Sequence, residues 1–109
     1  MATLKVNPGI CGLLTTLEVT SEDGMKANLS CETDCPHIKN LVEAVPTVNA
    51  YAEVFAKYGQ GVIAKGACIH CAHGACSVPT AMLKGVEIVC SLALAKDVSV
   101  HINQLIRDR

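Results

Sequence analysis

Two neighbouring segments alternate apolar and polar residues with the period of a β-strand. Between Leu14 and Thr20, Leu17 and Val19 alternate with polar neighbours, the pattern of a half-buried strand. Ser21-Glu22-Asp23-Gly24 follows as a turn, and then Met25, Ala27, Leu29 and Cys31 alternate with Lys26, Asn28 and Ser30. Together these predict a β-hairpin. Val98, Val100 and Ile102 alternate again near the C-terminus and predict a short edge strand.

Between those strands the period changes to that of a helix. Ile38, Leu41, Val42 and Val45 recur at helical spacing, with Asp34 as N-cap and Pro36 in the first turn. Asn49 caps a second predicted helix that buries Val54, Phe55 and Tyr58 and stops at Gly59. The longest runs from about Pro79 to Leu94, capped by Ser77, with Met82, Leu83, Val86, Val89, Cys90 and Ala93 on its apolar side. Residues 61–76, rich in Gly and Ala, fit neither period clearly. The order predicts an α+β fold: an N-terminal hairpin or small antiparallel sheet packed by three to four helices.

Length and composition narrow the class. The 109 residues, half of them hydrophobic, read as one domain over 1–109 with a modest core. No linker, repeat or low-complexity tract divides them. The start, Met1-Ala2-Thr3-Leu4-Lys5, lacks the apolar core of a signal peptide, and no apolar run spans a bilayer. Seven cysteines are an odd number, which leaves a thiol over in any disulfide scheme. These features predict a cytoplasmic, reducing setting, where clustered cysteines serve metals or redox chemistry. Charges are mixed, the only arginines are Arg107 and Arg109, and there are three aromatics, so no nucleic-acid surface is expected.

The placement of the cysteines carries the chemistry. Cys11 lies in Pro8-Gly9-Ile10-Cys11-Gly12, where glycines let the backbone turn tightly. Cys35 and Cys76 each fall at a predicted helix start, where free N–H groups and the helix dipole favour a thiolate or an anionic thiolate–metal cluster. Cys68 and Cys71 have the two-residue spacing of a bidentate pair, though no partner pair completes a zinc ribbon or ferredoxin run. If 68–73 were helical, Cys68 and Cys71 would share one face and His70 and His73 another, forcing a choice between Cys71 and His73 as ligand. Cys90 belongs to the apolar stripe of the last helix and Cys31 ends the second hairpin strand, and both read as core residues. For any single cysteine a small buried hydrophobe is the competing reading. His37 reads as a donor to a cluster sulfur or a surface residue, and His101 faces solvent.

This order of motifs resembles the U-type iron–sulfur cluster assembly scaffolds and their NifU-like relatives. In those proteins a Cys-Gly turn precedes a β-hairpin, a second cysteine opens the next helix, and a third opens a long helix. Here Cys11-Gly12, Asp34-Cys35-Pro36-His37 and Ala75-Cys76-Ser77-Val78 take those places, and the match spans roughly residues 8–95. Leu13 stands where the scaffolds carry an aspartate that keeps the cluster labile. Lys65–His70 replaces their proline-rich chaperone-recognition segment. A retained cluster fits those departures better than a transient one. The Asn-Pro-Gly-Ile-Cys-Gly and Asp-Cys-Pro-His segments also resemble those of small cysteine-rich proteins of anaerobes.

The resulting expectation is an iron–sulfur protein holding one cluster, of the 4Fe-4S type, on Cys11, Cys35, Cys71 and Cys76, with His73 or Cys68 as alternative fourth ligand. Its role would be electron transfer or cluster carriage with a redox or cluster-transfer protein partner, and a cluster shared across a homodimer is compatible with these loops. The alternatives are a structural zinc site, making the domain an interaction module, and a metal-free thiol enzyme or redox sensor. The last would use Cys35 or Cys76 as nucleophile, the latter with His73 or His37. No catalytic constellation of another kind is legible, so a binding role is favoured over an enzyme.

Overall fold

The hairpin is the centre of a larger sheet. A computed structural model describes residues 1–104. In it β1 (Ala2–Val6), β2 (Thr15–Thr20), β3 (Lys26–Thr33) and β4 (Thr47–Asn49) form an antiparallel sheet whose spatial order follows the chain, β1-β2-β3-β4. The predicted turn is built as its residues suggest. Ser21 Oγ accepts from Gly24 N–H at 3.0 Å and donates to the Lys26 carbonyl at 2.6 Å, while Asp23 accepts from Met25 and Lys26, both at 2.9 Å.

Alternation then divides the sheet into a wet and a dry face. Thr15, Leu17 and Val19 of β2 and Ala27 and Leu29 of β3 are buried, while Glu18, Asn28 and Ser30 face solvent. Four helices cover the dry face: α1 (Pro36–Ala44), α2 (Ala50–Val54), α3 (Val62–His70) and α4 (Val78–Val89). Helix α4 lies over β1 and β2, α1 lies over β3, and α3 packs against both helices. Ile38, Leu41, Ile63, Met82 and Val86 meet the sheet residues in one core. The α+β expectation is therefore met. Close approach is set by Gly85, where a Cβ would come within 2.6 Å of a Val19 methyl and 3.0 Å of a Leu4 methyl.

Several boundaries differ from the sequence reading, each for a local reason. Helix α1 is capped by position at Cys35, not Asp34, because Thr33 Oγ1 takes the Cys35 N–H at 3.1 Å and turns the chain one residue later. Helix α2 does start at Asn49, whose side chain accepts from Ala52 N–H at 3.0 Å, but it spans five residues. Its inward positions are Ala50 and Glu53, so Phe55 and Tyr58 stay exposed, Tyr58 completely. Helix α4 stops at Val89, where Ser91 adopts a left-handed conformation (φ 59°) and Leu92 and Ala93 close the end on the Glu87 carbonyl. Ser77 is its N-cap by position without a side-chain bond. Among the described residues, Val98, Val100 and Ile102 form no strand; the edges of the sheet are β1 and β4. Cys90 is buried as expected, and Cys31, opposite Leu17, is half-buried on the core side. Arg107 and Arg109 lie outside the described residues.

Candidate metal centre

Three separate chain segments bring thiols to one end of the sheet. The β1–β2 connection leaves the sheet at the paired residues Val6 and Thr15, and Thr15 is itself paired with Thr33. Cys11 sits on that connection, in a turn closed by Gly12 N–H to the Gly9 carbonyl at 2.9 Å, with both glycines at positive φ. Cys35 lies two residues beyond Thr33. The Thr33 hydroxyl, 2.7 Å from that of Thr15, accepts the Cys35 N–H, so the sheet end itself fixes the backbone of this cysteine.

The third segment joins α3 to α4. Helix α3 ends at His70, and Cys71 is its C-cap: its N–H still bonds the Ala67 carbonyl at 2.9 Å, but ψ of 133° turns the chain outward. A second turn, Cys76 N–H to the His73 carbonyl at 3.3 Å, brings Cys76 back just before α4. Helical spacing therefore does not set Cys71 against His73, since the helix has ended at His70, before both. Both, with Cys68 and Cys76, line an open groove of about 670 Å³ between α2, α3 and α4.

Cys71 is the hub. Burial first, then the neighbouring thiols of Cys76, Cys35 and Cys68, push its thiol up to about 11, Cys76 also as a hydrogen-bond partner. Of the four cysteines expected to act together, Cys35, Cys71 and Cys76 are thus gathered. Cys68 joins them, and Cys11 stands apart, exposed on its turn at the same end of the sheet. Cys31 is raised by burial and by Glu43, as expected for a core-facing thiol. His37 is exposed on α1, and so is His101. Among the described residues, no three His, Cys, Asp or Glu side chains are already arranged to hold a metal ion. The chemistry of the gathered donors nonetheless fits a soft cation: all are thiols, and at Cys71 the surroundings penalise the thiolate that a cation stabilises.

The helix starts divide into two kinds. Those of α2 and α3 are sealed by side chains: Asn49 for α2, and for α3 the buried Glu53, which accepts from Val62 N–H at 2.7 Å and Ile63 N–H at 2.9 Å. Gly61 is small because a Cβ there would stand 3.0 Å from both Glu53 oxygens. Those of α1 and α4, which begin at Cys35 and directly after Cys76, carry no side-chain cap. Glu53 escapes sequence reading because its partners lie nine and ten residues away, beyond any local capping pattern.

No helix among the described residues is long and apolar enough to cross a membrane. The chain belongs to a family of unknown function, DUF6951, whose model matches residues 2–102. No curated protein and no solved structure matches it.

Proposed function

We propose that this protein holds an iron–sulfur cluster at the sheet end, on Cys35, Cys71 and Cys76, with Cys11 reaching in from the β1–β2 turn. The observation that carries this reading is that Cys35 at the head of α1, Cys71 at the end of α3 and Cys76 just before α4 all pack half-buried against one core, where Cys76, Cys35 and Cys68 oppose ionisation of Cys71. Ligation by iron removes that opposition, because each thiolate then shares its charge with the metal. The starts of α1 and α4, beside Cys35 and Cys76, carry no side-chain cap, and their remaining free N–H groups and positive dipole ends would offset the charge of an anionic cluster. Binding requires the side chains to turn toward a common centre, which the half-exposed positions of Cys35, Cys71 and Cys76 permit. A bound cluster supplies reversible one-electron chemistry. The chain's own part is to hold the sulfurs, donate hydrogen bonds to them and set how much water reaches them. Electron transfer or cluster carriage with a protein partner, in a reducing cytoplasmic setting, follows from that role, and the resemblance to U-type scaffolds supports it.

A second reading rests on a different set. Cys68, Cys71, Cys76 and His73 line one groove, and three cysteines with a histidine form a structural zinc site. The two sets share Cys71 and Cys76 and differ in Cys11 and Cys35 against Cys68 and His73. Protein purified without oxygen should show a broad visible band and several irons per chain, and lose both in Cys35→Ser and Cys71→Ser. A colourless protein with one zinc per chain, retained in Cys35→Ser and lost in Cys68→Ser, would overturn the cluster and establish the zinc module. Protein that takes up neither metal after reconstitution would sink both.

A further inference from the structure

The sheet has two edges, three residues of β4 and five of β1, and the chain carries one strand-like segment with nothing to pair with. Among the described residues β1 bonds only β2, so its other side presents the longer row of unpaired backbone groups. The layer behind that edge is also incomplete. Leu4 and Val6 of β1 are only partly buried against the core, beside the Gly85 face of α4. Exposed edges of this kind recruit further strands unless they are blocked.

The segment after α4 has the complementary character. Val98, Val100 and Ile102 alternate with Ser99 and His101 and are 63, 82 and 88 % exposed. Among the described residues, the last backbone hydrogen bonds are those of Leu92 and Ala93 to Glu87. From there the chain runs without regular structure, in a molecule 55 Å long against 28 and 26 Å in its other dimensions. The family match continues through Ile102, so this segment belongs to the shared unit.

We propose that residues 98–102 add as a β-strand to the open β1 edge of a second copy of this chain, and that reciprocal exchange of the two segments makes a homodimer. Main-chain pairing along an edge with apolar side chains turned to one face is the ordinary mode of strand addition. A two-fold axis lets each copy give and receive the same element, so the assembly closes at two. Placed in phase with Leu4 and Val6, Val98, Val100 and Ile102 would complete the dry layer beside α4. Asp97, Ser99 and His101 would then fall on the wet face, where β1 presents Thr3 and Lys5, an opposite charge for Asp97. The segment projects from its own domain, which favours an edge on another molecule over its own. Metal binding plays no part in this inference.

Light scattering on the full chain, metal-loaded or metal-free, should give twice the 11.5 kDa monomer mass. Val100→Asp should weaken dimerisation by more than about tenfold, since a carboxylate would be buried in the new strand. Because Val100 is exposed in the single chain, that substitution should leave helicity and thermal unfolding of the monomer unchanged. Amide exchange should show β1 and 98–102 protected in the dimer and exposed together in the variant. A monomer at every concentration would overturn the proposal. So would a dimer that survives Val98→Asp, Val100→Asp and Ile102→Asp combined, or a monomer whose own 98–102 segment is protected.

Discussion

The starts of α2 and α3 and the starts of α1 and α4 solve the same physical problem in opposite ways. Every helix begins with N–H groups that have no partner inside it. At α2 and α3 the chain supplies acceptors itself, with Asn49 and with the buried Glu53. At α1 and α4 it supplies none, and places Cys35 and Cys76 there instead. A fold able to cap one pair of helices has left the other pair open where its thiols gather. The difference separates helix ends that serve stability from helix ends available to an anionic ligand.

The sharpest way to break this contrast is at the sealed pair. Glu53→Ala leaves two donors without acceptors at a buried position and should lower stability by roughly 2–4 kcal/mol. Chemical denaturation should show that loss, and amide exchange should place it first at Val62 and Ile63. Unchanged protection there would mean that Glu53 does not hold the start of α3. Asn49→Ala removes a single, exposed acceptor and should cost about 1 kcal/mol by the same denaturation experiment.

The open pair should respond with the opposite sign. Cys35 has the extended backbone of a capping residue (φ −88°, ψ 113°), so Cys35→Asp gives α1 an ordinary cap. The metal-free protein should gain about 0.5–1 kcal/mol while the metal-loaded protein loses its bound metal. A variant that is more stable and still fully loaded would remove Cys35 from the ligand set.

The smallest effect concerns pH. The Cys71 thiol is raised to about 11 from an ordinary 9.0, so the fold favours its protonated form. Its contribution to metal-free stability is complete below about pH 9 and is lost as pH rises through about 11. Alkylation of Cys71 in folded, metal-free protein should accordingly be slower near pH 8 than in unfolded protein, and should accelerate toward pH 11. Fast modification at pH 8 would mean that neither burial nor the neighbouring thiols hold back its ionisation.

What could be read from the chain follows the same division. The hairpin, the Asn49 cap, Pro36 at the head of α1 and the part of the α4 stripe from Met82 to Val89 rest on periods and local bonds, and these are where the residues put them; Cys90 and Ala93 fall past the end of that helix. The sequence predicts an edge strand at Val98–Ile102 and none at the N-terminus, but the strand beside β2 is Ala2–Val6, whose alternation is the same, because periodicity does not say which segment reaches the sheet. At the site, turn and helix-start positions pointed to Cys35 and Cys76. The assignment of Cys71 was obscured because the end of α3 at His70 has no glycine or proline to mark it. Cys68 and the seal made by Glu53 depend on packing between helices, which spacing along the chain does not contain.

The sheet's neighbour-to-neighbour order has a consequence in time. By the moment Asn49 has been synthesised, every strand of the ladder exists, and with it the turns that carry Cys11 and Cys35. The dry face over Leu17 and Val19 stays bare until α4 arrives and Gly85 settles against it. The docking that covers this face is also what sets Cys71 and Cys76 beside Cys35. Closure of the core and assembly of the thiol group are then a single late event of folding, and a nascent chain offers a metal only partial sets of donors until that event is complete.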